Sequence, residues 1–152
     1  MSGLFGQPGL TGLGAGLLIL GAIALAEEVV FRFALLRVAA GITSWLVGVV
    51  LSSLVYALVH AGAGHLWPVY LATLFCFGIV ACQLTAIGRS LWLPIGAHWA
   101  WDFARFAAFQ SLPLPLLGSS WIVGLPYRLS AGVVMLIVMA LTVGLLDVIR
   151  RS

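Results

Sequence analysis
Two adjacent glutamates, Glu27 and Glu28, interrupt a stretch that is otherwise apolar, and Arg32 follows four residues after the second. An ionisable side chain at the centre of a membrane-inserted helix costs about 2.5–3.5 kcal/mol on insertion scales, so two in succession need a reason. Residues four apart share a helix face, which lets Glu28 and Arg32 form an ion pair. Glu27 lies about 100° further round the helix, where Arg32 reaches it less well. One carboxylate is then held while its neighbour is free to project into a cavity, a division that suits a general base. A structural ion pair engaging both glutamates is the alternative. Tyr56 and His60 are also four apart, as are His98 and Asp102, and Arg105 follows on the same face as Asp102. A single membrane histidine is more often a hydrogen bond between helices than a catalyst. Here, however, three of the four acids and two of the three histidines fall in three apolar segments. Lipid satisfies none of them, and convergence on one buried polar site accounts for all. His65 sits in a short Gly-bearing loop and reads as solvated.

The elements that must position these residues are membrane helices. Of 152 residues, 63% are hydrophobic and 7% charged, against roughly 45–50% and about 25% in soluble proteins. That excludes a water-soluble globule, and the hydrophobicity excludes disorder. The expected fold is all-α: a single integral membrane domain over residues 1–152, a polytopic bundle of about five transmembrane helices around a buried polar site. About 20 apolar residues cross a ~30 Å hydrocarbon core. Candidate spans run from Leu10 to Ala40, Ile42 to His60, Trp67 to Ile87, Leu91 or Pro94 to Phe109, and Ala131 to Ile149. A Pro- and Gly-bearing loop, Ser111 to Tyr127, precedes the last.

The first span is too long to be one straight crossing. With a turn near Gly41, Glu27 and His60 lie ~21 and ~28 Å from it, at similar depths. His98 falls short if its helix begins at Leu91. An extended run from Arg89 to Leu93, with Pro94 opening the helix, lifts it by ~16 Å. Gly12 and Gly16 form a small-xxx-small pair, read as packing within the chain rather than a dimer seam. Arg150 and Arg151, with Arg37 and Arg89, place the C-terminus and those turns in the cytoplasm and Arg128 outside.

Three motifs thus stand in order on successive helices. Glu27-Glu28-Val-Val-Phe-Arg32 reads EExxxR, Tyr56 to His60 reads aromatic-xxx-His, and His98 to Asp102 reads HxxxD. With the flanking text Ser90-Leu-Trp-Leu-Pro-Ile-Gly-Ala-His98, residues 26–109 resemble the CPBP family: type II CAAX prenyl proteases and bacteriocin-processing or Abi-like proteins. The resemblance implies a glutamate-type intramembrane peptidase acting on a membrane-embedded or lipid-modified peptide. In it Glu27 is the base that activates water, aided by His60, while Glu28 and Arg32 hold the geometry. His98 and Asp102 occupy the positions where the family's second His and Asn stabilise the oxyanion. Asn is usual where this chain has Asp102, and an ionised Asp cannot donate to an oxyanion. Asp102 is therefore protonated, or it orients His98 by accepting its N–H, or the oxyanion role is weakened.

Two other readings compete. Glu27, His60 and His98, with Asp102, make a legitimate zinc donor set, although no pair has the HExxH spacing. A non-catalytic immunity or scaffold protein uses the same cluster to fix helix packing, and its function survives loss of Glu27. No cofactor is expected under the leading reading. A net charge of +3 from seven basic residues, with no cluster beyond Arg150-Arg151, excludes a nucleic-acid partner. The expected partners are the lipid bilayer, the peptide substrate and further copies of the chain in a homo-oligomer. A compact, Gly-rich chain without Lys points to a bacterial inner membrane. Cys76 and Cys82 read as small buried hydrophobes rather than a disulfide. The N-terminus lacks the positive stretch of a cleaved signal peptide.

Overall fold
The computed structural model describes residues 10–61, 68–111 and 133–151, which are helical apart from short turns at 43–44 and 89–91. In chain order they form α1 (Leu10–Glu28), a π-helical segment (Val29–Leu35), α2 (Leu36–Ile42), α3 (Trp45–Ala61), α4 (Pro68–Gly88), α5 (Trp92–Ser111) and α6 (Val133–Arg151). Among the described residues there is no strand. Each element falls within a few residues of its expected span. The Ser111–Tyr127 loop, apart from Ser111, lies outside the described residues, as does His65.

The long first segment resolves into one continuous helix with a wide turn in its middle. The Leu36 N–H donates to the carbonyl of Phe31, five residues back, which is the π register. α2 then ends at Thr43, whose hydroxyl and amide both donate to the Ala39 carbonyl. Ser44 opens α3 by accepting the Val47 N–H at 3.3 Å, as an N-cap serine does.

The connection from α4 to α5 differs from the expectation. Arg89 takes a left-handed conformation with φ 51°, the usual way to end a helix. The Ile95 N–H already donates to Leu91 O at 3.0 Å. No extended run from Arg89 to Leu93 forms, and Pro94 sits inside the first turn of α5 rather than at its start. His98 nevertheless reaches the glutamates. Its ring meets both carboxylates, with Nδ1 2.8 Å from Glu28 and Nε2 3.7 Å from Glu27, although α5 starts at Trp92.

Small residues set the close approaches. A Cβ on Gly78 of α4 would lie 2.8 Å from the backbone of Ser53, so α3 and α4 meet nearly backbone to backbone there. On α1, a Cβ at Gly16 would come within 2.6 Å of the Phe106 ring, and one at Gly21 within 2.9 Å of Trp99. The Trp99 indole also donates to Leu17 O at 2.8 Å, tying α5 to α1. Gly16 thus serves packing within the chain, as expected. Met139 packs with Leu74 and Phe77 in the central apolar cluster, and Gln83 donates to Val143 O at 3.2 Å, so α4 and α6 run in the same direction.

The distribution of polarity is inverted relative to a soluble domain. Glu28, Arg32, Ser52, Ser53, Thr73, Gln83 and His98 are buried, while Leu18, Ile42, Leu46, Leu141 and Val148 are among the most exposed side chains. Gly12–Ile42 and Tyr70–Gly88 are long and apolar enough to cross a membrane, and Trp45–His60 and Ile137–Val148 are shorter apolar helices. Helices with internally satisfied backbones and lipid-ready outer faces are the form a membrane bundle takes. Cys76 and Cys82 are both free thiols.

Candidate active site
The three motifs meet where the end of α1 lies against α5 and the π segment that follows it lies against α3. Glu28 and Arg32 are both fully buried, and Glu28 Oε1 lies 3.2 Å from Arg32 Nη1. The same carboxylate oxygen accepts the Nδ1–H of His98 at 2.8 Å. The Arg32–Glu28 contact is ionic rather than an aligned hydrogen bond, since the guanidinium nitrogens have no aligned acceptor among the described residues. Arg32 instead rests over the Tyr56 ring at 4.7 Å and that of Phe31 at 5.8 Å. Stacking on aromatic faces suits a desolvated guanidinium. Both Glu28 contacts fall on Oε1, and Glu28 Oε2 is buried with no hydrogen-bond partner among the described residues.

Glu27 is placed differently. Its side chain keeps 24% exposure, with Oε1 3.6 Å from His60 Nε2 and Oε2 3.7 Å from His98 Nε2. Both distances exceed a direct hydrogen bond. Glu27 thus faces two imidazoles without being tied to either, the free carboxylate the spacing predicts. His60 is oriented by its own helix: Nδ1 lies 2.8 Å from Tyr56 O, a carbonyl that can only accept. In a neutral ring this leaves the Nε2 lone pair pointing at Glu27. Tyr56 packs against His60 with the rings tilted by 40° and centroids 4.4 Å apart, and Phe77 meets His98 edge-on at 4.9 Å.

Asp102 closes the cluster. Its Oδ2 lies 3.4 Å from His98 Nε2, and its Oδ1 accepts from Arg105 Nη1 at 3.3 Å. The spacing of four residues gives the first contact and that of three the second. With Nδ1–H committed to Glu28, His98 can donate from Nε2 only as the imidazolium, and Glu27, Glu28 and Asp102 surround it with countercharge. Beside Asp102 a small cavity of about 20 Å³ opens between Tyr56, Thr73, Phe77, Trp101 and Arg105, enough for about one water.

All six residues singled out by spacing come together. Among the described residues, no three His, Cys, Asp or Glu side chains are arranged to hold a metal ion, so the zinc donor set does not fit. Sequence reasoning missed the contact of Phe77 with His98, the seat of Arg32 over the Tyr56 and Phe31 rings, and Ser52, whose hydroxyl donates to Phe31 O at 2.7 Å in a fully buried contact. Ser52 had a signal: it precedes Tyr56 by four residues and His60 by eight, on the same face.

No curated protein and no solved structure matches the chain. A family model does, over residues 9–104, from α1 to the middle of α5, a stretch that includes Glu27, Glu28, Arg32, His60, His98 and Asp102. That match covers more than half of the 152 residues, and the chain belongs to the family of type II CAAX prenyl endopeptidases described as Rce1-like.

Proposed function
We propose that this chain is an intramembrane glutamate-type endopeptidase that hydrolyses a peptide bond in a membrane-embedded or lipid-modified substrate. The observation that carries the reading is the contrast between the two glutamates. Glu28 is sealed and paired, while Glu27 keeps 24% exposure and faces two histidines at 3.6 and 3.7 Å without a direct hydrogen bond to either.

A water seated beside Glu27 Oε1 and His60 Nε2 donates one hydrogen bond to each. As the water oxygen attacks the scissile carbonyl carbon, its proton passes to the Glu27 carboxylate. The carbonyl π electrons move to oxygen, and His98 Nε2–H donates to the resulting oxyanion. Collapse of the tetrahedral species breaks the C–N bond, and the Glu27 carboxylic acid returns its proton to the departing amine. A positioned base and a preorganised donor in a dry site are what amide hydrolysis needs. Glu28 fixes the His98 ring through Nδ1, and Arg32 balances Glu28. Asp102, held by Arg105, turns His98 Nε2 towards the site and replaces the family's usual Asn as a positioning group. Five crossings, with α5 carried among its neighbours, complete the bundle, and a bacterial inner membrane is its setting.

The test compares membrane-protein termini in cells carrying the wild-type chain or Glu27→Gln, with and without a chelator. A terminus that disappears in the variant and persists under chelation supports the reading and names the substrate. If no terminus changes although both proteins are folded and equally abundant, the cluster is packing glue and the chain is a scaffold. Loss of the terminus under chelation would point to a zinc hydrolase.

A further inference from the structure
The π segment begins directly after Glu28, so the two carboxylates stand at its entrance. The Phe31 carbonyl sits at the middle of this wide turn and accepts two hydrogen bonds. One comes from the Leu36 N–H in the π register and the other, at 2.7 Å, from the Ser52 hydroxyl on α3. Ser52 is fully buried, so the bond is shielded from water. A carbonyl has two lone pairs, and in a site closed to solvent a second donor must come from the protein.

Ser52 is also the first rung of a ladder. Ser52, Tyr56 and His60 share one face of α3, about 6 Å apart per step. They contact, in turn, the Phe31 carbonyl, the Phe31 ring together with the Arg32 guanidinium, and the Glu27 carboxylate. The first rung, at 2.7 Å, is the shortest of these contacts. About 100° round α3 from Ser52, Gly78 of α4 presses against Ser53, which holds α3 close to α4 at the same level.

We propose that Ser52 is a positioning residue: by holding the Phe31 carbonyl it fixes the π turn, and with it the spacing between Glu27 and His60. This deepens the peptidase reading and rests on it for its kinetic consequence only.

The experiment uses the full chain in lipid nanodiscs as wild type, Ser52→Ala and Ser52→Thr. Amide hydrogen exchange is followed in peptides covering residues 29–42, with residues 68–88 as the internal reference. Ser52→Ala should speed exchange in the first region about fivefold, the equivalent of one lost hydrogen bond, and leave the reference unchanged. Ser52→Thr, which keeps the hydroxyl, should exchange as wild type. With a quenched-fluorescent prenylated CAAX peptide as probe, Ser52→Ala should lower kcat about tenfold at unchanged KM, and Ser52→Thr should restore it. Wild-type exchange in Ser52→Ala overturns the inference, as does faster exchange with unaltered kcat. Should Ser52→Ala fail to fold, the threonine variant decides: protection and activity support the inference, and fast exchange in 29–42 overturns it. A wild-type chain inert towards the peptide counts against the peptidase reading, and the exchange comparison then decides the role of Ser52 alone.

Discussion
Glu28 and Arg32 carry opposite charges without any exposure, and each is the other's compensation in a medium that supplies none. Removing one partner of such a pair strands the other charge, which costs about 3–5 kcal/mol, whereas replacing both with apolar or neutral groups of similar size is often far cheaper. Arg32→Met should therefore lower unfolding stability in detergent by about 3–5 kcal/mol, and the double variant Glu28→Gln/Arg32→Met should recover a large part of it. Equal losses in single and double variants would show that the two charges are not coupled. Asp102 makes a different prediction. Asn at that position keeps an oxygen for His98 Nε2–H and adds an N–H that can donate to the oxyanion. Asp102→Asn should retain hydrolysis within about tenfold, while Asp102→Leu, which leaves His98 Nε2 without its orienting oxygen, should lose about 10²–10³ in kcat, the scale of one oxyanion donor. An Asn variant as inactive as the Leu variant would assign the carboxylate itself a step in the reaction.

At the scale of elements, the helices were legible because apolar length and polar spacing carry their signal locally. Glu28–Arg32, Tyr56–His60 and His98–Asp102 each needed only the four-residue helical step. The π turn was not legible: Val29-Val-Phe-Arg-Phe-Ala-Leu35 is ordinary helix text, and what stabilises the wide turn is a hydroxyl 21 residues later in the chain. The start of α5 was not legible either: the helix begins at Trp92, with Pro94 in its first turn, and His98 still reaches Glu28. The glycines of α1 were half legible. Gly12, Gly14 and Gly16 look alike in the sequence, yet only the neighbours reveal that Gly14 faces open space while Gly16 and Gly21 lie under Phe106 and Trp99. This gives an internal control. Gly14→Leu should leave stability and activity unchanged, while Gly16→Leu and Gly21→Leu should each cost about 1–3 kcal/mol by overpacking and lower activity by moving α5, and His98 with it, away from Glu28. Thermal unfolding and probe cleavage on the same samples check both halves, and three equal responses would sink the assigned α1–α5 contact.

For the whole molecule, the parallel course of α4 and α6 has a consequence for orientation. Arg89 closes α4 and Arg150-Arg151 close α6, so three arginines gather at one end of the bundle, and Arg37 in α2 lies near the turn at that same end. Positive residues flanking spans are retained on the cytoplasmic side. The C-terminus and the Arg89 turn should therefore be cytoplasmic, and the Glu27–His60–His98 cluster, further up the helices, should lie towards the opposite leaflet. In a background with Cys76 and Cys82 replaced by Ala, Arg89→Cys should resist a membrane-impermeant maleimide in intact cells and react after permeabilisation. A fluorescent protein fused after Ser152 should mature in the cytoplasm. Labelling of Arg89→Cys in intact cells would invert the bundle. The site would then lie nearer the cytoplasmic face, where a lipid-modified C-terminus made in the cytosol reaches it without crossing the hydrocarbon core. Under the expected orientation the substrate must instead enter laterally, carried into the membrane by its lipid or by an apolar segment. The same labelling result thus decides which class of peptide can present its backbone to Glu27.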